Sequence, residues 1–501
     1  MKSLRRDAPL ELIALVLSLA TVVAAYFVGD RIYERMPHFE DEMAYVWQAQ
    51  AITAGDLVLP SPPQPKSFLI PFVFDHNGVR TSKYPPSWPV LLALGILAGA
   101  RSWVNPVLAG LGIWLSYRLA VKVSSPGAGL LAVLLFLTSP LFWLLSGSLL
   151  SHAWSLVLTL GFMLAWLDTF LPDGERPRAP AWMRILVAGF SLGLLVLTRP
   201  VTALAIGAPF LAHGAWILAR GEASSRRHVF AIGALALGLG TLLLVWQYEV
   251  TGDPLRNPYT MWWAYDRYGF GEGFGRSEEG HTLEHAFENI RYSLRGYGTG
   301  DDLMGWGDLW WIFLPFGAWA LRRKPAAWLV AGLLPALILA YIPYWIGSWQ
   351  YGPRYYYEGM LSITVLSAAA ICWLFQGGSP LRKVLVILAM VVLIGYDLGA
   401  YLPGRLDGMR GMYAIRRKML EPFTTEAAER LTPALVIVSW QDRWTEYGGL
   451  LELQNAQLTS PFVFVLNRGN VANTEVIAAY PDRRVLYYYP DEPDRFYTAP
   501  R

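Results

Sequence analysis

Apolar residues in this chain come in long unbroken runs rather than at the spaced positions of an amphipathic element. A soluble helix or strand keeps a wet face, so its apolar positions recur with a period. Runs of about 20 residues without a polar face match instead the ~30 Å of hydrocarbon in a bilayer. On this pattern spans are expected at 9–29, 104–121, 127–146, 149–170, 183–198, 200–219, 229–249, 307–321, 326–346, 357–376 and 384–402. The first run follows MKSLRRDAP, is longer than a signal-peptide core and lacks an A-x-A site, so it reads as an uncleaved span. The stretch 86–100, PSWPVLLALGILAGA, is short for a crossing and reads as an interfacial or re-entrant helix.

Charge gives this pattern an orientation. With Lys2, Arg5 and Arg6 in the cytoplasm, alternation puts every short basic cluster on that side: Arg118 and Lys122; Arg176, Arg178 and Arg184; Arg220, Arg226 and Arg227; Arg322, Arg323 and Lys324; Arg382 and Lys383. Counting 86–100 as a full span would turn all the later clusters outward. The expectation is a multi-pass protein of the plasma (inner) membrane with a cytoplasmic N-terminus.

Three sizeable segments then lie outside: 30–86, 250–306 and 403–501. The last contains LVIVSW (435–440), PFVFVL (461–466), VIAAY (476–480) and RVLYYY (484–489), short β-type runs separated by helix-like or polar stretches such as 441–454. The expected fold class is therefore mainly α and polytopic, with about eleven transmembrane helices plus interfacial ones in a domain over 1–402. A small extracytoplasmic α/β domain over 403–501 completes it.

Composition narrows the function. Hydrophobic types make up 54% of the chain and charged ones 16%, against about 25% charged in soluble domains, which excludes a large soluble body. The net charge of +3 comes from basic residues beside apolar segments, so no basic face for nucleic acid is present. The single Cys372 excludes a disulfide within the chain, so an outer domain must be held by its core.

Polar groups beside spans are costly and so are informative. The first outer segment opens with MPHFEDEMAYVWQAQAITAGDL, where Glu40, Asp41 and Glu42 start a short helix. Acids there suit the helix dipole, and a carboxylate so placed can also serve as a general base. The segment ends with RTSKYPPSWP, where Lys83 stands at a rigid proline turn. Arg199, in LTRP, joins two spans with almost no loop; Arg354, in YGPRYYYEG, stands at the mouth of another; His152 begins a third. On the topology above, Asp41, Lys83, His152, Arg199 and Arg354 all face one side.

These residues carry a resemblance. The layout resembles the GT-C superfamily of membrane glycosyltransferases, within it the bacterial branch of protein O-mannosyltransferases and lipid A aminoarabinose transferases. An Asp-Glu pair follows the first span (Asp41–Glu42), a Lys-Pro-Pro-like element closes the first outer segment (Lys83-Tyr84-Pro85-Pro86), and an Arg-Tyr element opens a late span (Arg354-Tyr355). The family's lysine usually precedes its prolines directly, whereas Tyr84 intervenes here. The resemblance covers about residues 1–400, with its motifs at 36–90 and 351–360.

The resemblance implies an inverting glycosyltransferase whose donor is a sugar on a polyprenyl phosphate, working at the outer membrane face. By position Asp41 suits the base, with Glu42 as helper or alternative. Lys83, Arg354 and then Arg199 are the candidates for binding the departing phosphate. His152, Tyr84 and Tyr355 are candidates for substrate contact. No cofactor is required by any spacing, and a divalent cation at Asp41 and Glu42 stays open, as relatives differ on it. Lipid, polysaccharide and protein acceptors all fit, and membrane lipid is a partner by necessity. The competing readings are a transporter or flippase of a lipid-linked sugar, and a sensor or scaffold. Against transport, the polar groups gather at one face instead of mid-membrane in repeated halves.

Overall fold

The structure is a computed structural model describing residues 2–172, 179–295, 303–348, 351–377, 379–440 and 444–501, with side chains from Ala8 onward. Of the residues discussed above, the side chains of Lys2, Arg5 and Arg6, together with Arg176, Arg178 and positions 301–302 and 441–443, lie outside that description.

The chain opens with the long helix α1 (Lys2–Arg31), followed by α2 (Glu40–Thr53) and a three-stranded antiparallel sheet. That sheet has the order β1-β3-β2, with β1 Leu59–Pro60, β2 Val73–His76 and β3 Val79–Ser82. Helices α3 (Ser87–Leu97), α4 (Val104–Val123), α5 (Pro126–Thr138), α6 (Pro140–Gly147), α7 (His152–Phe170), α8 (Ala181–Val196), α9 (Pro200–Arg220), α10 (Ala223–Gly240) and α11 (Leu242–Thr251) follow. After α12 (Tyr259–Trp262) and α13 (Leu283–Arg295) come α14 (Leu314–Ala320), α15 (Pro325–Ala331), α16 (Leu333–Tyr341), α17 (Met360–Gln376) and α18 (Pro380–Tyr396). Helix α1 packs on α4, α7 on α4 and α8, and α17 on α5 and α14. Close approach depends on small residues: a Cβ at Gly110 of α4 would lie 2.7 Å from the Ser18 carbonyl oxygen of α1.

Seven helical stretches among the described residues are long and apolar enough to cross a membrane, eight if the bent pair α5–α6 is one span. Ala181–Val196 and Pro325–Tyr341 are shorter apolar helices, so the expected spans at 183–198 and 326–346 exist as compact elements. The expected span at 307–321 carries only the seven-residue α14 behind a 3-10 turn, Gly307–Leu309. Pro315 and Gly317 weaken a helix there, and Gly317 sits against the Leu366 backbone of α17, where a side chain would clash. The expected span at 127–146 bends by 71° between Thr138 and Pro140. Pro140 has no N–H to continue α5, and the Ser139 hydroxyl instead caps α6 by accepting from the Phe142 N–H. The 86–100 stretch forms α3, eleven residues long, which at ~1.5 Å per residue is about half of a bilayer's hydrocarbon thickness.

Past α18 the chain builds a four-stranded sheet of order β5-β4-β6-β7, from β4 (Ala434–Val438), β5 (Phe462–Leu466), β6 (Arg484–Tyr488) and β7 (Phe496–Tyr497). The first three strands are parallel and β7 is antiparallel to β6. VIAAY does not form a strand: it completes a helix, Asn470–Ala479. Parallel neighbours need a crossover, and Ala478–Ala479 favour the helix that supplies it. Leu435, Ile437, Val463, Val465 and Val476 bury with Phe68 of the first outer segment, so that segment and the C-terminal sheet share a core.

Candidate functional site

Helix α2 is fixed by its own first turn. Phe39 is the extended residue before it, and three acids, Glu40, Asp41 and Glu42, complement the dipole. The Glu42 carboxylate reaches back to accept the N–H groups of His38 (2.8 Å) and Phe39 (3.1 Å), and across to accept the Leu149 N–H (2.7 Å). The Tyr351 hydroxyl donates to it as well, at 3.5 Å. Burial pushes the Glu42 carboxyl up, and these bonds offset part of that. Its lone pairs are thus committed to tying α2 to the turn before α7.

Replacing Glu42 with Ala would strand three buried amide donors at about 1–3 kcal/mol each, a loss of stability of about 3 kcal/mol or more. The thermal midpoint of the purified protein should fall clearly in Glu42→Ala and less in Glu42→Gln, whose amide oxygen still accepts. A normal midpoint in the alanine variant would contradict this role.

One position earlier, Asp41 points elsewhere. Its Oδ1 accepts from the Tyr84 hydroxyl at 2.7 Å and lies 3.8 Å from Arg354 Nη1. The Asp41 side chain keeps 16% of its exposure and Arg354 12%, so neither is fully sealed. Arg354 begins the 3-10 turn leading into α17, entered through Gly352 at φ +86°, a backbone conformation that suits glycine. Its guanidinium lies over the rings of Phe39 (5.5 Å) and Tyr355 (5.6 Å).

Lys83 leaves β3 with its N–H on the Phe72 carbonyl, and Pro85–Pro86 then turn the chain into α3. The intervening Tyr84 has a visible use: its hydroxyl holds Asp41 while Lys83 takes the other side of the turn. The ammonium sits 3.5 Å above the Phe72 ring, with Tyr259, Trp263 and Tyr84 around it, and 3.4 Å from Asp266 Oδ2. Asp266 is held by the Tyr344 hydroxyl and Trp345 Nε1, both at 3.0 Å from Oδ1. Burial pulls the Lys83 ammonium below its usual value; Asp266 and then Asp41 offset part of this, while Arg354 adds to the lowering. Burial also raises the Glu40 carboxyl, which feels Asp41, Arg354 and Lys83.

Arg199 and His152 form a bonded pair beside Arg354. Arg199 can only donate, so the His152 Nε2 to which it bonds accepts. Arg199 also reaches Thr202 (3.1 Å) and the Tyr341 hydroxyl (3.4 Å). Tyr341 stacks flat on Tyr355 at 4.8 Å, and the Arg354 guanidinium lies over Tyr355, which gives this pair a second link to Arg354. The structure thus brings Asp41, Tyr84, Lys83, Arg354 and Tyr355 together, places His152 beside Arg354 with Arg199 bonded to it, and turns Glu42 into the core. The sequence names Glu40 only as one of three acids opening α2, and does not single out Asp266 or Tyr344. Asp266 is one of several acids in 250–306, and no spacing distinguishes it.

Among the described residues no group of three or more His, Cys, Asp or Glu side chains could hold a metal ion. Asp41 is surrounded by a phenol and cations, and Glu42 by amide donors, so this donor set does not compose a metal centre.

No family model matches the chain, and no curated protein matches it. Solved structures do. ArnT (lipid A aminoarabinose transferase) from Cupriavidus metallidurans bound to undecaprenyl phosphate is 15% identical, with a TM-score of 0.57 over 95% of this chain and 90% of that one. Its apo state gives 0.54 at 15% identity over 94% and 88%. The apo oligosaccharyltransferase of Archaeoglobus fulgidus gives 0.51 at 13% identity over 94% and 69%. The chain has the fold these proteins share, the GT-C fold.

Proposed function

We propose that this chain is a membrane glycosyltransferase that moves a sugar, with inversion, from a polyprenyl-phosphate donor to an acceptor at the outer membrane face. The observation that carries the reading is the convergence of a partly exposed carboxylate, Asp41, with two cations, Lys83 and Arg354, among aromatic rings. The GT-C fold supports it, and so does the undecaprenyl phosphate bound to the similar ArnT.

The chemistry follows from the residues. The acceptor oxygen attacks the anomeric carbon from the face opposite the phosphate. The bond between that carbon and the phosphate oxygen breaks, and its electron pair leaves with the polyprenyl phosphate. Asp41 takes the acceptor proton. Arg354, with a planar fork suited to phosphate, and Lys83 stabilise the charge that develops on the leaving group. Tyr84 holds Asp41 in place, the rings of Tyr259 and Trp263 hold the Lys83 ammonium, and Tyr355 packs between Tyr341 and Arg354. Arg199 orients the Tyr341–Tyr355 stack from behind. On this reading 403–501 is an extracytoplasmic domain, and the contacts among the three outer segments agree with a shared side: Gln64 bonds Glu475, Gln457 bonds the Gln50 carbonyl, and Lys83 bonds Asp266.

The test is transfer by purified protein supplied with polyprenyl-phosphate sugars and a membrane extract as acceptor. Glycosylated product and freed polyprenyl phosphate are expected together; their absence with every donor would sink the reading.

Asp266 should matter through Lys83. Removing its charge in Asp266→Asn lowers the Lys83 ammonium further, because a carboxylate stabilises the charged form. Arg354 faces Lys83 with the opposite effect, and Asp41, Glu40 and the Tyr84 and Tyr259 hydroxyls complete its surroundings. Activity needs the cation, so the alkaline limb of the rate profile should move to lower pH in Asp266→Asn. An unmoved limb would show that Asp266 does not act on Lys83.

A further inference from the structure

A second charged feature lies at the far end of α2, about 14 Å from Asp41 along the helix at ~1.5 Å per residue. There a cleft of about 320 Å³ is lined by Arg35, Gln50, Ile96, Gly99, Arg101, Ser102 and Arg417. Three arginines line it, contributed by the turn after α1, the turn after α3 and the segment after α18. No carboxylate is among its lining residues.

The acids nearby brace the arginines from outside the lining. Asp30 accepts from Arg35 Nε at 2.7 Å, Glu452 accepts from Arg101 Nη2 at 2.5 Å, and Glu34 accepts the Arg417 N–H through its carboxylate and Arg417 Nη2 through its carbonyl. Arg101 Nη2 also reaches the Arg35 carbonyl at 2.9 Å. Each guanidinium has five donors, and these bonds use only one edge of each. The remaining donors belong to residues that line a space large enough for a phosphate group.

The surroundings say what kind of phosphate. Exposed Val23 and Phe27 of α1 and Leu94 and Leu97 of α3 form an apolar flank, and Ile96 carries it into the cleft. Tyr26 stacks on Trp103 at 4.0 Å beside it, and the Arg35 guanidinium lies 5.0 Å above Tyr26. Tyr and Trp pairs of this kind sit at the level of lipid headgroups. Arg410, Arg416, Arg417 and Lys418 are all exposed. On the proposed topology they lie on the side where the positive-inside rule gives basic residues no topological use; Arg410 pairs with Asp407 and Arg417 with Glu34, and the donors these bonds leave suit an anion.

We propose that this arginine cleft binds the phosphate of an anionic membrane lipid headgroup, with the acyl chains against α1 and α3. The inference rests on the proposed topology but not on sugar transfer, and its test reads binding alone. Full-length protein is reconstituted in nanodiscs of phosphatidylcholine with a minor share of phosphatidylglycerol, and the lipid retained after detergent extraction is weighed by native mass spectrometry. Wild type should retain phosphatidylglycerol in preference to phosphatidylcholine. The triple variant Arg35→Gln, Arg101→Gln, Arg417→Gln should lose at least about tenfold of that retention, the scale of losing charge-assisted hydrogen bonds. The matching Arg→Lys triple should keep most of it.

Because Arg101 also braces Glu452, the single variant Arg417→Gln is run alongside and should lose part of the retention with an unchanged thermal midpoint. Retention that is equal in wild type, the triple and the single variant would overturn the proposal. Binding of inorganic phosphate that the triple variant abolishes, with phosphatidylglycerol retained no better than phosphatidylcholine by wild type, would overturn the lipid assignment and leave a site for the free anion.

Discussion

Asp41→Asn should lower sugar transfer by at least about 10²-fold, the scale of a positioned general base, while donor binding stays near its wild-type level. The variant is a clean one. The amide that replaces the carboxylate keeps an oxygen to accept from the Tyr84 hydroxyl, which bonds Asp41 at 2.7 Å, so the local fold is not disturbed. What is lost is the proton acceptor and the charged partner of Arg354 at 3.8 Å. A rate that survives would remove Asp41 as the base and direct attention to Glu40, the neighbouring carboxylate that also feels Arg354 and Lys83. Glu42 is a poor substitute, because its oxygens are already taken by three amides and Tyr351.

The second large effect is expected at Lys83. Lys83→Met keeps an unbranched chain over the Phe72 ring and leaves Asp266 its two other donors, Tyr344 and Trp345. The fold should persist, and the charge facing the leaving phosphate should not. Removing one preorganised donor of this kind costs about 10²–10³ in kcat, with a rise in the KM for donor as the ground-state phosphate loses the same partner. Lys83→Arg should restore little. The ammonium sits 3.5 Å from one ring and within 5.4 Å of three others, a cage sized for a compact cation and too tight for a planar fork. Full activity in Lys83→Met would show that Arg354 alone serves the phosphate.

The membrane helices are legible because unbroken apolar runs are a local signal. The runs at 9–29, 104–121 and 200–219 form α1, α4 and α9 with small changes at their ends. What a run of apolar letters does not carry is how the chain breaks within it. The bend at Ser139–Pro140 and the shortening around Pro315 and Gly317 depend on which neighbour each turn packs against. VIAAY departs from its expected strand for a similar reason: its β-type letters are outweighed by the crossover that the parallel strands demand.

In the site, Asp41, Lys83 and Arg354 can be named from the sequence because each stands beside an apolar run and within a short recognisable motif. Their partners cannot. Lys83 and Asp266 are 183 positions apart, and Glu42 and Leu149 are 107 apart, so only the packed fold decides which acid faces a cation and which one props up a helix. Tyr84 is instructive in the opposite direction. In the sequence it departs from the motif, and in the fold it is the residue that steadies Asp41.

The central claim is that a sugar–phosphate bond is broken here, and the most direct measurement follows both halves of a polyprenyl-phosphate sugar in proteoliposomes. With acceptor present, the account predicts sugar appearing on the acceptor and free polyprenyl phosphate accumulating in equal amount, with both signals absent in Asp41→Asn. Intact lipid-linked sugar crossing the bilayer with no release of polyprenyl phosphate, unaffected by Asp41→Asn, would contradict it and make the protein a transporter.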